Sequence, residues 1–130
     1  KRYISLLEKR KRIINAYDEA FKSLPVSALR HFDEENNSSG HLYLTRLDGK
    51  DEKARNRLIE LMAQRGVATN VHYKPLPMFT AYKNLGFDIK DFKNAYDTYK
   101  NEVTLPLHTL LDDEDVDYVV NSFRECLQEI

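Results

Sequence analysis

The sequence predicts an α+β domain: a small, mainly antiparallel or mixed sheet of three to four short strands, covered by amphipathic helices. Three observations carry this expectation. Apolar residues recur at helical spacing over long stretches at both ends of the chain, short stretches between them alternate apolar and polar residues, and Gly, Asn and Pro clusters separate the two kinds. At 130 residues the chain suffices for one domain with a real core, and it contains no internal repeat or low-complexity tract.

The first element is a long helix over 1–24, on which Tyr3, Leu6, Leu7, Ile13, Ile14, Tyr17, Phe21 and Leu24 repeat at helical spacing until Pro25 closes it. It opens at Lys1 without an N-cap, which reads as a cut end. The basic run Lys9, Arg10, Lys11 and Arg12 lies within it; on such a helix this is ordinarily a solvated face, although it is also a local patch suited to phosphates. Residues 26–32 hold a short extended piece and residues 33–40 a surface loop rich in Asn, Ser and Gly. A strand follows over 41–47, with Leu42 and Leu44 opposing Tyr43 and Thr45. Asp51 then caps a helix that places Ala54, Leu58, Leu61 and Met62 on one side and ends on Gly66.

The stretch 66–82 is the centre of the sequence. Its alternation predicts a strand over 67–74, with Val67, Thr69, Val71 and Tyr73 on one face and Ala68, Asn70, His72 and Lys74 on the other. Pro75 and Pro77 stop that strand, and residues 78–82 begin a short helix. A polar strand face running into a proline-braced turn suits the wall of a ligand cleft. Beyond a turn at 84–87, Asp91 starts a helix whose face is Phe92, Ala95, Tyr96 and Tyr99. Val103, Leu105 and Leu107 alternate as a short strand, which Pro106 places at a sheet edge or ends early. The last helix has an acidic first turn from Asp112 to Asp115 and a buried stripe of Val116, Val119, Val120, Phe123 and Leu127.

Composition excludes several classes of function. Twenty Lys and Arg against 21 Asp and Glu leave a net charge of -1, so no global field marks a nucleic-acid or membrane protein. The single Cys126 cannot form an internal disulfide and no apolar run approaches spanning length, which makes a reducing, cytoplasmic setting the expectation. No glycine-rich phosphate cradle, paired-cysteine or H-E-x-x-H metal motif, or nucleophile elbow is present.

His72 and Tyr73 adjoin on the expected strand, so their side chains take opposite faces. If Tyr73 packs with Val67 and Val71, His72 joins Asn70 and Lys74 on the polar face, where an imidazole can bond a ligand hydroxyl or phosphate or shuttle a proton; the competing reading is a half-exposed surface histidine. His41, at a strand start after the Ser-rich loop, can reach a cleft or simply cap the loop. Lys74 has the polar outlook to pair with a phosphate but reads as solvated, His108 as partly buried with a backbone partner, Tyr96 and Tyr99 as core aromatics, and Cys126 as packing.

Three stretches together resemble one family. They are Lys1-Arg2-Tyr3 through Arg10-Lys11-Arg12 to Ala16-Tyr17; Gly66-Val67-Ala68-Thr69-Asn70-Val71-His72-Tyr73-Lys74-Pro75-Leu76; and Val103-Thr104-Leu105-Pro106-Leu107-His108 with Leu111-Asp112-Asp113-Glu114-Asp115-Val116. In this order and separation they resemble the C-terminal small domain of the DegT/DnrJ/EryC1/StrS aminotransferases, fold-type I enzymes that use pyridoxal phosphate on nucleotide-linked keto-sugars. The resemblance implies that residues 1–130 are that single small domain, and that the large cofactor-binding domain, with its Schiff-base lysine, lies outside this chain. No catalytic, cofactor-binding or metal-binding residue, and no bound pyridoxal phosphate, is then expected here.

The same resemblance implies a homodimer that takes its amino group, by analogy, from glutamate and uses a nucleotide sugar as substrate; the charge balance, the lone cysteine and the lack of a long apolar run add the expectation of a cytoplasmic setting with no nucleic-acid or membrane partner. His72 and Tyr73 match the family's His-Tyr before a proline and become the expected substrate-binding residues, with His41 beside them. Many relatives carry another histidine after that proline, whereas this chain reads Leu76-Pro77-Met78-Phe79. Two other readings stand beside this one: a free-standing binding module using Lys9 to Arg12 on nucleic acid, and a regulatory or dimerisation domain.

Overall fold

A three-stranded antiparallel sheet, in the order β1-β2-β3, lies at the centre of the computed structural model, which describes residues 2–130. The strands are β1 (Val26–Ala28), β2 (Tyr43–Leu47) and β3 (Glu102–Leu105). The register pairs Val26 with Leu47 on one side of β2, and Tyr43 with Leu105 and Arg46 with Glu102 on the other. Paired residues share a face, so Tyr43, Thr45 and Leu47 bury together with Val103 and Leu105 while Arg46 stays exposed.

Helices α1 (Arg2–Phe21), α2 (Glu52–Gln64) and α5 (Asp113–Gln128) supply the rest of the core, together with Val67 just beyond α2. The expected apolar stripe of α5 is buried throughout, and Leu58, Leu61 and Met62 of α2 join it. In α1 only Ile13, Ile14, Tyr17 and Phe21 are buried; Tyr3 and Ile4 are exposed, and Lys1 lies outside the described residues. The caps follow the sequence. Asp51 accepts from the Ala54 N–H, Gly66 takes the left-handed conformation after α2 at φ 74°, and Asp112 and Asp115 form a reciprocal capping box on α5. Two short helices, α3 (Thr80–Asn84) and α4 (Lys93–Tyr99), lie between α2 and β3.

The expected strand over 67–74 does not form. Its sole ladder contact is an isolated antiparallel bridge between Asn70 and Thr104, in which each backbone N–H donates to the other's carbonyl. Side chains capture the next donors: the Asn70 amide oxygen accepts the N–H of Val71 at 2.7 Å, and the carboxylate of Glu102 accepts that of His72 at 2.9 Å. With those hydrogens diverted and Pro75 following, a ladder cannot propagate. Tyr73 therefore does not pack with Val67 and Val71; it is 71% exposed. Tyr96 and Tyr99 are likewise half-buried rather than core residues. No helix among the described residues is long and apolar enough to cross a membrane.

Candidate functional site

Alternation along β3 puts Glu102 and Thr104 on the face opposite Val103 and Leu105. Both are buried, and the 70–72 segment covers them. The Thr104 hydroxyl lies 2.5 Å from Glu102 Oε1 and 2.9 Å from His72 Nδ1, while Oε2 of the same carboxylate accepts the His72 backbone N–H. His72 is thus gripped twice, through its backbone and its ring. Burial pushes the Glu102 carboxyl above its ordinary range, against the hydrogen bonds from Thr104 and His72 and the nearby positive charge of Arg55.

Arg55, reaching in from α2, is almost wholly buried. Its guanidinium stacks 4.8 Å over the Tyr99 ring, donates to the Tyr99 carbonyl at 3.2 Å, and approaches Glu52 at 3.4 Å. Those contacts fix the C-terminal end of α4 beside the His72 segment. A cleft of about 340 Å³ opens there, lined by His72, Tyr73, Pro75, Thr98, Tyr99 and Glu102 among others. The His72 and Tyr73 rings meet edge to face at 4.7 Å, and both residues line the cleft. Such a wall suits a neutral, hydroxyl-rich ligand: aromatic surface, one imidazole, and a carboxylate already matched to protein donors.

The structure brings His72 and Tyr73 together at this cleft. His41 is exposed ahead of β2 and is not among the residues that line this cleft. His108 is exposed rather than partly buried and borders a separate cleft with Pro106, Asp115 and Tyr118. Lys74 lies exposed, 5.3 Å from the centre of the Phe79 ring. Cys126 is buried beside Arg65, and its thiol is pushed up by burial, as suits a packing residue. Three residues of the basic run are held within the molecule. Arg12 pairs with Asp113 and the Leu111 carbonyl, Lys11 lies 5.2 Å over the Phe32 ring, and Arg10 reaches the Ser39 carbonyl.

Sequence reasoning missed Glu102, Thr104 and Arg55. A signal for the first two was present: an alternation that buries Val103 and Leu105 also sets Glu102 and Thr104 side by side on one face. Nothing local distinguishes Arg55 from the other basic residues of α2. It also missed His31, which is buried, stacked on Tyr43 and bonded through Nδ1 to the Ser38 hydroxyl. Among the described residues no group of three His, Cys, Asp or Glu side chains is placed to hold a metal ion.

Residues 1–124 match the model of the DegT/DnrJ/EryC1/StrS aminotransferase family. The chain is 32% identical over 124 residues to the UDP-4-amino-4,6-dideoxy-N-acetyl-beta-L-altrosamine transaminase of Campylobacter jejuni, covering 95% of this chain and 33% of that protein. It is 29% identical over 131 residues to a spore coat polysaccharide biosynthesis protein of Bacillus subtilis, covering 98% of this chain and 34% of that one. Among solved structures, a protein assigned as a sugar aminotransferase from Streptococcus pneumoniae superposes with a TM-score of 0.96 at 48% identity. That match covers 98% of this chain and 32% of the other; the PLP-form of the same protein superposes equally well. The chain spans about a third of the length of the relatives it matches.

Proposed function

The chain belongs to the DegT/DnrJ/EryC1/StrS aminotransferase family, and on that premise we propose that it is the C-terminal small domain of an enzyme converting a nucleotide-linked keto-sugar to an amino sugar for glycan or polysaccharide synthesis. The observation that carries this reading is the superposition of nearly the whole chain, at a TM-score of 0.96, on a third of a protein assigned as a sugar aminotransferase. By the same family analogy the complete enzyme uses glutamate as amino donor and works as a homodimer in the cytoplasm.

Pyridoxal phosphate is the cofactor that the family implies, and the residues present do not fit it. Its anchoring lysine must be oriented and held away from bulk water. Every described lysine is exposed or half-buried, and Lys22, Lys100 and Lys50 are tied to Glu19, Asp97 and the Ile130 carbonyl. We therefore assign the cofactor-binding lysine, the partner of the pyridine nitrogen and the proton transfers to the rest of the enzyme.

What this chain offers is shape. The backbone and ring of His72 are fixed to Glu102 and Thr104, and Tyr73 presents an exposed ring to a substrate or a neighbouring subunit. The test is amination by the complete enzyme, with pyridoxal phosphate and glutamate, of UDP- and dTDP-linked keto-sugars, read as the mass of the amino-sugar product. Failure with every such substrate removes the reading. The isolated 130 residues should develop no visible absorbance when mixed with the cofactor.

A further inference from the structure

Thr104 has one hydroxyl hydrogen and stands between two groups, either of which can receive it. Its Oγ1 lies 2.5 Å from Glu102 Oε1 and 2.9 Å from His72 Nδ1. The second carboxylate oxygen is committed, because the His72 backbone N–H donates to it. An ionised Glu102 is an acceptor only, so Thr104 gives its hydrogen to Oε1 and has only lone pairs left for the imidazole. His72 must then donate from Nδ1. In a neutral ring that leaves Nε2, which has no protein partner among the described residues, as a bare acceptor.

One added proton has the same outcome wherever it settles in this row. On Glu102 it reverses the hydrogen bonds: the carboxylic acid donates to Thr104, Thr104 donates to Nδ1, and Nε2 carries the ring hydrogen. On the imidazole it makes both nitrogens donors. Charged and titratable groups surround the row from each neighbouring element. Arg55 and Glu52 of α2 and Tyr99 of α4 form one linked set, and Tyr73 stands edge-on to the His72 ring. Arg46 of β2, opposite Glu102 in the register, turns its guanidinium to Asn101 and the Asp97 carbonyl instead. The positive charge of Arg55 favours the ionised carboxylate, while burial favours the acid.

We infer that Glu102 and Thr104 are positioning residues that hold His72 with Nε2 as an acceptor, so that this nitrogen receives a hydroxyl hydrogen of the bound sugar and disfavours phosphate oxygens, and that uptake of one proton reverses this preference. The choice of sugar as ligand rests on the aminotransferase reading. The hydrogen-bond direction rests on this geometry with Glu102 ionised. A phosphate oxygen is an acceptor and has nothing to offer a bare ring nitrogen, whereas every sugar hydroxyl carries a hydrogen.

The row is tested without substrate, by 15N spectra of the complete protein labelled at histidine, with His72 assigned through His72→Gln. At alkaline pH the wild type should show a protonated, pyrrole-type Nδ1 and an unprotonated, pyridine-type Nε2. Glu102→Gln must turn its amide oxygen to the His72 N–H and its NH2 to Thr104, so the two nitrogens should exchange types. Thr104→Ser should keep the wild-type pattern and Thr104→Val should lose it, which decides the matter even if the Gln variant folds poorly. A protonated Nε2 in the alkaline wild type, or the same pattern in wild type and Thr104→Val, overturns the inference.

In turnover by the complete enzyme, Glu102→Gln makes Nε2 a donor, so the sugar hydroxyl must rotate to accept and its hydrogen loses its partner; KM for the sugar nucleotide should rise by up to about tenfold, with kcat little changed. Inhibition by the matching nucleoside diphosphate should not weaken. Equal weakening of both places a phosphate at Nε2 and overturns the ligand assignment. A wild type that aminates no keto-sugar nucleotide removes the aminotransferase reading and the sugar hydroxyl with it, while the nitrogen pattern still decides the row.

Discussion

The guanidinium of Arg55 stacks 4.8 Å over the ring of Tyr99 and also donates to that residue's own carbonyl, so one buried side chain clamps the end of α4 from two directions. Planarity makes both contacts available at once, and an ammonium cannot reproduce them. Arg55→Lys should therefore lower stability by about 1–2 kcal/mol despite keeping the charge. Hydrogen exchange should show the loss concentrated in α4, with α5 little affected. Uniform loss of protection across both helices would mean that Arg55 serves the core at large and not this junction.

Two glycines separate backbone strain from crowding. Gly40 and Gly66 both have positive φ, at 60° and 74°. A Cβ on Gly66 meets nothing within 4 Å, whereas one on Gly40 would stand 2.9 Å from Ile14 Cδ1 and 3.2 Å from Arg10 Cβ. Gly66→Ala should cost about 1 kcal/mol, the left-handed penalty alone, and Gly40→Ala about 2–4 kcal/mol through added displacement of α1. Urea midpoints rank the two, and equal costs would show that the loop around Gly40 moves aside freely.

His31 predicts a pH dependence of stability. Burial lowers its pKa below the ordinary value of 6.5, opposed in part by the carboxylate of Asp18. The unfolded chain therefore binds a proton more readily than the folded one. The contribution of a neutral His31 is complete above the unfolded value, erodes as pH falls past it, and is fully lost once pH is below the folded value. His31→Phe retains an aromatic ring to stack on Tyr43 and removes the titration. Its stability relative to wild type should improve as pH falls from about 8 to about 5; a constant difference across that range would remove His31 from the acid response.

Much of the fold is legible because its signals are local. Asp51 and Asp112 announce helix starts, Gly66 a helix end, and the α5 stripe from Val116 to Leu127 has one solution at helical spacing. The stretch 67–74 is misread for the opposite reason. Its alternation is real, but whether the ladder forms depends on Glu102, thirty residues away, which takes the hydrogen that a strand partner would need. The site is half legible on the same grounds. His72 and Tyr73 stand out as residue types, but the buried Glu102 and Thr104 that orient His72 look like an ordinary strand edge until the two segments meet. His31 carries no periodic or motif signal, and only packing against Tyr43 gives it consequence.

The three residues that sequence reasoning placed at the substrate should prove unequal in the complete enzyme. His72 is fixed by Thr104 and Glu102 and lines the cleft, so its loss removes an oriented hydrogen bond. Tyr73 lines the same cleft but is 71% exposed in this chain, so its ring adds contact area with little orientation of its own. His41 lies exposed ahead of β2 and does not line that cleft. Turnover efficiency for the sugar nucleotide should accordingly fall about tenfold in His72→Ala, less in Tyr73→Phe, which keeps the ring, and within about twofold in His41→Ala. Cofactor content, read from visible absorbance, should stay at the wild-type level in all three. A His72→Ala enzyme that loses its cofactor as fast as its activity would place the imidazole at the pyridoxal phosphate and not at the sugar.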